Sequence, residues 1–256
     1  MCRAALKASK RLLRDFGEVE KLQVSKKGTR DFVSNADIFA ERTIREVLEE
    51  ARPNFGFLME ESGTVAGKGS DKDYRWIIDP LDGTMNFIHG LPYFCISIGL
   101  EKAGELIAGV VYDPIRDELF CAEKGYGAYV NDQRLRVSGR SNVGEAIFGY
   151  SYSSRGDYKP EDFKRLVANL EESAAASRRM GASALDLCYV AAGRFDAYIA
   201  SGLAPWDISA GGLMVREAGG IITTIEGKTF DHLQNNLFAA NSYLHQNLLG
   251  SLNKAR

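Results

Sequence analysis

Near the start of the chain, Leu6, Leu12, Leu13 and Phe16 recur at roughly helical spacing among Arg3, Lys7, Lys10, Arg11 and Arg14. The pattern predicts a helix within residues 1–17 with a solvated basic face. Ser34, followed three residues later by Asp37, is a capping-box-like start; Ile38, Phe39, Thr43, Ile44, Val47 and Leu48 then form an apolar stripe that ends before Pro53, predicting a second helix. Phe55–Met59 and Arg75–Asp79 are apolar runs too short for helices, and each ends in acidic residues: Glu60 and Glu61 after the first, Asp79 in the second. They read as buried strands with carboxylates at their tips. The Gly-, Lys- and Asp-rich stretch Gly63–Asp73 between them reads as a loop.

Beyond Phe94 the pattern changes to strand after strand, separated by Gly, Asp and Asn turns: Phe94–Glu101, Glu105–Tyr112, Glu118–Ala122, Ala128–Val130 and Leu135–Val137. This predicts an antiparallel meander. Helices are expected over Glu161–Ser173, Ser183–Ala192 and Trp206–Ala218, strands over Phe195–Ala200 and Leu237–Ala240, and a closing helix from Asn241. The order of helices, sheet, helices, sheet and helix fits α+β, a layered α-β-α-β-α sandwich, better than a regular α/β repeat. Ser138–Gly144 is the one linker-like stretch and is too short to separate independent domains. Residues 1–256 are therefore expected to form a single domain, with an N-terminal α+β half over 1–140 and a C-terminal α/β half over 141–256.

Composition narrows the function classes. Hydrophobic residues make up 45% and charged residues 26%, with a formal net charge of -2, so no global basic field draws in nucleic acid or an anionic membrane. The basic start lacks the uninterrupted apolar segment of a secretory signal; a transit peptide is the alternative to a plain N-terminal helix, and the helix is favoured. Cys2, Cys95, Cys121 and Cys188 are widely separated, and the last three lie in apolar stretches. They read as reduced, buried thiols of a cytoplasmic protein.

The candidate chemistry sits in Trp76-Ile77-Ile78-Asp79-Pro80-Leu81-Asp82-Gly83-Thr84-Met85-Asn86-Phe87. Asp79 and Asp82 bracket a proline-fixed turn at a strand tip, so their carboxylates converge. Mg²⁺ prefers such oxygen ligands and is commonly held by a few carboxylates together with substrate phosphate. Gly83 and Thr84 sit where a helix would begin, with backbone N–H groups free for a phosphate. Asp, Pro and Gly also make plain surface turns, but two further acidic sites at element ends, Glu60-Glu61-Ser62-Gly63 and Pro205-Trp206-Asp207, point to one shared pocket.

These runs, followed by Ile208-Ser209-Ala210-Gly211 and Glu217-Ala218-Gly219-Gly220, resemble the inositol monophosphatase family of metal-dependent, lithium-sensitive phosphatases. The likeness extends from Asp31-Phe32-Val33-Ser34-Asn35-Ala36-Asp37 to Ala239-Ala240-Asn241. The resemblance implies that Glu60, Asp79 and the Leu81 carbonyl hold one Mg²⁺ and Asp79, Asp82 and Asp207 a second, and it admits a weaker third near Glu60. It further implies that Glu60 and Thr84 orient and activate the attacking water, with Asp37 bonded to the Thr84 hydroxyl. Gly83 and Thr84 would bind phosphate, and Gly181, Ser183 and Asp207 the substrate hydroxyls. Lys27 stands where members often carry a lysine near the site, and a homodimer is the expected assembly.

Inositol phosphatases typically place a glutamate shortly before the Pro-Trp-Asp motif, where this chain has Ala200. A small polyol or sugar phosphate is therefore the expected substrate class, with histidinol phosphate, fructose 1,6-bisphosphate and a nucleotide 3'-phosphate as alternatives. Arg178, Arg179 and Arg194 could meet a second anionic group but read as surface or interface residues. His89, His232 and His245 lack ligand spacing. A rival of another class is a non-catalytic partner-binding role in transcription or RNA processing.

Overall fold

Strand alternation decides the layering. The computed structural model describes residues 1–18, 24–27 and 31–254. In chain order the elements begin with α1 (Cys2–Phe16), β1 (Val24–Lys27), β2 (Asp31–Ser34), α2 (Asn35–Ala51), β3 (Gly56–Met59), β4 (Gly63–Val65), β5 (Tyr74–Asp82) and α3 (Thr84–Ile88). The meander follows as β6 (Cys95–Lys102), β7 (Glu105–Asp113), β8 (Glu118–Glu123), β9 (Gly127–Val130) and β10 (Gln133–Arg134). The remainder is β11 (Ile147–Tyr152), α4 (Pro160–Ser173), β12 (Ala176–Arg178), α5 (Ser183–Ala191), β13 (Ala197–Ser201), α6 (Pro205–Glu217), β14 (Ile221–Thr223), β15 (Asn236–Ala240) and α7 (His245–Lys254).

An eight-stranded sheet has the order β10-β9-β8-β7-β6-β5-β3-β4, and a five-stranded sheet the order β12-β11-β13-β15-β14. In β13, Ala197 and Ile199 join one buried cluster with α4 and α7, while Tyr198 and Ala200 join another with α5 and α6. In β7, Val111 faces the α5–α6 layer and Val110 and Tyr112 face α1 and α2. Because successive side chains on a strand point to opposite faces, both sheets are covered on both sides. The result is the expected α-β-α-β-α sandwich, with α5 and α6 as the shared central layer.

Several local expectations need correction. The buried face of α1 is Ala4, Ala5, Ala8 and Leu12, whereas Leu6 and Leu13 are 39% and 40% exposed. Alanines let the helix lie close to its neighbours, which a reading by residue size passes over. On α2 the buried positions are Ala36, Asp37, Ala40, Glu41, Ile44, Val47 and Leu48, so Ile38 and Phe39 are displaced from the face by two carboxylates. Gly63–Asp73 is not loop throughout, since Gly63–Val65 pairs with β3. The last hairpin strand is Gln133–Arg134, not Leu135–Val137. The closing helix starts at His245, after Asn241 has capped the turn by accepting the Tyr243 and Leu244 N–H groups. Lys27 pairs its backbone with Asp31, and its side chain lies outside the described residues.

Two of the motif pieces brace the fold. The Glu217 carboxylate accepts the Gly125 and Gly127 N–H groups at 3.0 and 2.9 Å, fixing the end of α6 to the β8–β9 turn. Asn241 donates to Ser138 Oγ and the Arg140 carbonyl, and Asp196 receives Ser138, Arg140 and the Ile147 N–H. The linker-like stretch is thereby pinned to the five-stranded sheet.

Candidate metal centre

Three residues apart on a regular strand, Asp79 and Asp82 would point to opposite faces. Along the β5–β6 ladder Asp79 pairs with Ser97 and Asp82 with Cys95, so three steps on β5 match two on β6. The extra residue is a bulge between Asp79 and Asp82, a stretch in which Pro80 has no N–H to lose from the ladder. It reverses the parity and brings both carboxylates to one side. Asp79 Oδ1 accepts the Leu81 N–H at 3.0 Å, and Asp82 Oδ2 accepts the Ala184 N–H in the first turn of α5 at 2.7 Å. The strand thus continues to Asp82, beyond the Asp79 tip expected from the apolar run, because backbone pairing resumes after the bulge.

Asp207 reaches the same point from the central layer itself. It is the third residue of α6, behind Pro205, and its Oδ2 accepts the Ala204 N–H at 2.8 Å, half of a capping box. The helix is held against the sheet by Ser97 Oγ donating to the Trp206 carbonyl at 3.1 Å. Below it, Gly99 and Gly109 leave room: a Cβ on Gly99 would stand 3.2 Å from Ser209 Cβ, and one on Gly109 would stand 3.1 Å from Ala210 Cα.

One carboxylate oxygen from each of Asp79, Asp82 and Asp207 lies within 4.8 Å of the others. Asp79 is 2% and Asp82 8% exposed. Burial pushes both acids well above the ordinary carboxylate range; for Asp79 the charges of Glu60, Asp82 and Asp207 add to it, and for Asp82 that of Asp207. Backbone N–H groups oppose the shift only in part. Converging, buried, mutually repelling carboxylates are a donor set that a hard divalent cation fits.

Glu60 lies outside the triad but close enough to Asp79 to act on its charge. Its N–H donates to the Ile78 carbonyl at 3.2 Å, continuing the β3–β5 pairing to the strand tip. The turn that carries it is held by Glu41 of α2, whose carboxylate accepts the Glu61 N–H at 2.8 Å and the Ser62 hydroxyl. Asp37, one turn earlier on the same helix, is 2% exposed. Glu41 is the residue that the sequence reading passed over. Its signal was present, since Asp37 and Glu41 stand four apart in phase with Ile44 and Leu48 on the buried face.

Gly83 follows the carboxylates at φ 94°, ψ 32°, and a Cβ there would come 3.0 Å from the Tyr93 carbonyl oxygen. Only glycine takes that conformation without strain in so tight a place. Thr84 opens α3 as expected, and its hydroxyl donates to the Leu81 carbonyl at 2.9 Å. Gly181 (φ 88°) approaches Asn86, whose amide donates to the Tyr93 and Met180 carbonyls, both at 2.8 Å. Ser183 starts α5 and bonds the Tyr198 hydroxyl at 2.9 Å, while Tyr93 donates to Asp186 at 2.7 Å. Arg194 is bound to Glu118, so it is a structural arginine. His232 and His245 are buried.

The layered fold and the carboxylate cage between its central helices and the larger sheet define a metal-dependent enzyme class. A family profile described as the inositol monophosphatase family matches residues 1–256. The inositol-1-monophosphatase of Caulobacter vibrioides is 48% identical over 258 residues, covering 100% of both chains. That of Mesorhizobium japonicum is 47% identical, covering 99% of this chain and 95% of its own length. The Nus factor SuhB of Escherichia coli (strain K12) is 39% identical over 98% of this chain and 93% of its own. Among solved structures, the extragenic suppressor protein suhB from Bartonella henselae superposes with a TM-score of 0.94 at 46% identity, covering 99% and 97%. An IMPase/NADP phosphatase complexed with Mg²⁺ and phosphate superposes with a TM-score of 0.81 at 26% identity, covering 97% and 92%. The chain belongs to the inositol monophosphatase family, and its chemistry is the metal-dependent hydrolysis of phosphoric monoesters. No helix among the described residues is long and apolar enough to cross a membrane.

Proposed function

We propose that the chain uses Mg²⁺ to release phosphate from a small polyol or sugar phosphomonoester, working as one domain whose halves, 1–140 and 141–256, both supply ligands. The observation that carries the reading is the convergence of Asp79, Asp82 and Asp207 within 4.8 Å. Glu60, Asp79, Asp82, Asp207 and the Leu81 carbonyl would hold two ions. When bound, Mg²⁺ neutralises phosphate charge and lowers the pKa of water. Glu60 would take the proton of the attacking water, with Thr84 orienting it; for Asp37 to support Thr84, the hydroxyl would have to leave the Leu81 carbonyl to which it donates here. Gly83 and Thr84 would meet the phosphate, and Gly181, Ser183 and Asp207 the alcohol end. A homodimer in the cytoplasm is the assembly proposed by kinship.

By kinship with inositol phosphatases, the position that would carry a hydroxyl-binding glutamate is Ala200 here. Ala200 is fully buried on the α5–α6 side of β13 and offers no hydrogen-bonding group to a polyol hydroxyl. Phosphate release from inositol 1-phosphate, histidinol phosphate, fructose 1,6-bisphosphate and adenosine 3',5'-bisphosphate, measured with Mg²⁺ and with added lithium, tests the proposal. We expect one polyol or sugar ester to dominate and lithium to inhibit; equal rates with Asp79→Asn would refute the site. The relatives named as Nus factors favour a second role, binding to transcription machinery; retention of such binding by Asp79→Asn would separate it from hydrolysis.

A further inference from the structure

The four cysteines divide into two kinds. Cys95 of β6 and Cys188 of α5 are fully buried, whereas Cys2 and Cys121 are both partly exposed. Although 119 residues apart in sequence, Cys2 at the start of α1 and Cys121 in β8 bring their Sγ atoms to 3.5 Å. That is non-bonded contact between two thiols. A disulfide needs about 2.05 Å, so closure requires a shift of roughly 1.5 Å, within reach of side-chain rotation at the first turn of a helix.

We propose that Cys2 and Cys121 are an oxidisable dithiol, which closes to an intramolecular disulfide by exchange with a low-molecular-weight disulfide. Cys2 is the attacking group, since the first turn of a helix favours a thiolate. The hydrogen bond with Cys121 acts in the same direction, lowering the Cys2 thiol from its ordinary range. The Cys2 thiolate attacks one sulfur of the reagent disulfide, forming a mixed disulfide and releasing one reagent thiolate. Cys121 then loses its proton and attacks Cys2 Sγ, expelling the second. The protein dithiol is oxidised by two electrons, the reagent is reduced to two thiols, and those thiols carry away the two protons.

The bond would fasten α1 to the larger sheet. Ala4, Ala5, Ala8 and Leu12 of α1 pack in one cluster with Ala40, Ile44 and Leu48 of α2. The same α2 presents Glu41 to the turn that carries Glu60. Fixing α1 therefore steadies the helix pair behind the metal centre.

The test uses the native full-length chain in buffers of reduced and oxidised glutathione, followed by alkylation, digestion and mass spectrometry. The expected result is a linked Cys2–Cys121 peptide pair two hydrogens lighter than the thiols, with Cys95 and Cys188 alkylated only after unfolding. Cys121→Ser should instead keep glutathione on Cys2. The oxidised wild type should melt about 5–10 °C higher than the reduced, because the bond closes a long loop. A lasting glutathione adduct in the wild type, a disulfide between two molecules, or both thiols free at the most oxidising ratio would each overturn the proposal.

Discussion

Replacing Asp79 by asparagine should make the protein more stable without metal and shrink the stability it gains when metal is added. The amide keeps the shape of the side chain and can still accept the Leu81 N–H through Oδ1. What it removes is one charge from a cage whose oxygens lie within 4.8 Å of one another. At that distance and an effective dielectric of about 20, each like-charge pair costs roughly 3.5 kcal/mol. Proton uptake by the buried cluster relieves part of this, leaving a gain of about 2–4 kcal/mol for the variant in chelator. In a chain of this size that raises the melting midpoint by roughly 5–12 °C. With Mg²⁺ at a hundredfold excess over its dissociation constant the wild type gains about 2.7 kcal/mol, and the variant, having lost a shared ligand, gains under about 1 kcal/mol. Thermal melts of both proteins with chelator and with Mg²⁺, at pH 8, read the two effects. A variant that is less stable in chelator, or that keeps the full Mg²⁺ increment, would refute the account of the cage.

Three other perturbations probe its supports. Gly83→Ala forces a Cβ to within 3.0 Å of the Tyr93 carbonyl oxygen at φ 94°, and should cost about 2–4 kcal/mol in urea unfolding and lower kcat. Glu41→Ala removes the acceptor for the Glu61 N–H and Ser62 hydroxyl; we expect a loss of about 2–4 kcal/mol and a fall in kcat larger than the change in KM, checked by denaturation and steady-state kinetics. Asp186 is raised by burial from 3.8 to about 7, opposed by the Tyr93 hydrogen bond. Its folded form holds the proton more tightly than the unfolded, so the stability it contributes is full below about pH 4 and lost as pH rises through 7. In chelator, Asp186→Asn should therefore gain about 3–5 kcal/mol relative to wild type between pH 4 and 8, and an identical difference at both ends would contradict the assignment.

The layer order and all three cage residues were legible in the sequence because they sit in unusual local patterns. Asp-Pro-Leu-Asp ends an apolar strand, and Pro-Trp-Asp opens a helix. The bulge that makes Asp79 and Asp82 converge was not legible, since it is a property of the pairing with β6 and not of either strand alone. The same is true of Glu41, which looks like one of several solvated acids on α2 until the Glu60 turn is placed against it. The misjudged face of α1 has a related cause: apolar size marked Leu6 and Leu13, while close packing selected the alanines. β11 and β12 were missed because their parallel pairing leaves no hairpin turn to announce them.

Helix α6 rests on two strands that present bare backbone at Gly99 and Gly109. Nothing compressible separates the helix from the sheet, so its first turn has almost no freedom to drift toward or away from Asp79. A residue exchanged elsewhere in the fold thus leaves untouched the frame that sets the distance between the acids. The reaction geometry is thereby set by backbone contact between helix and sheet and not by the side chains around it.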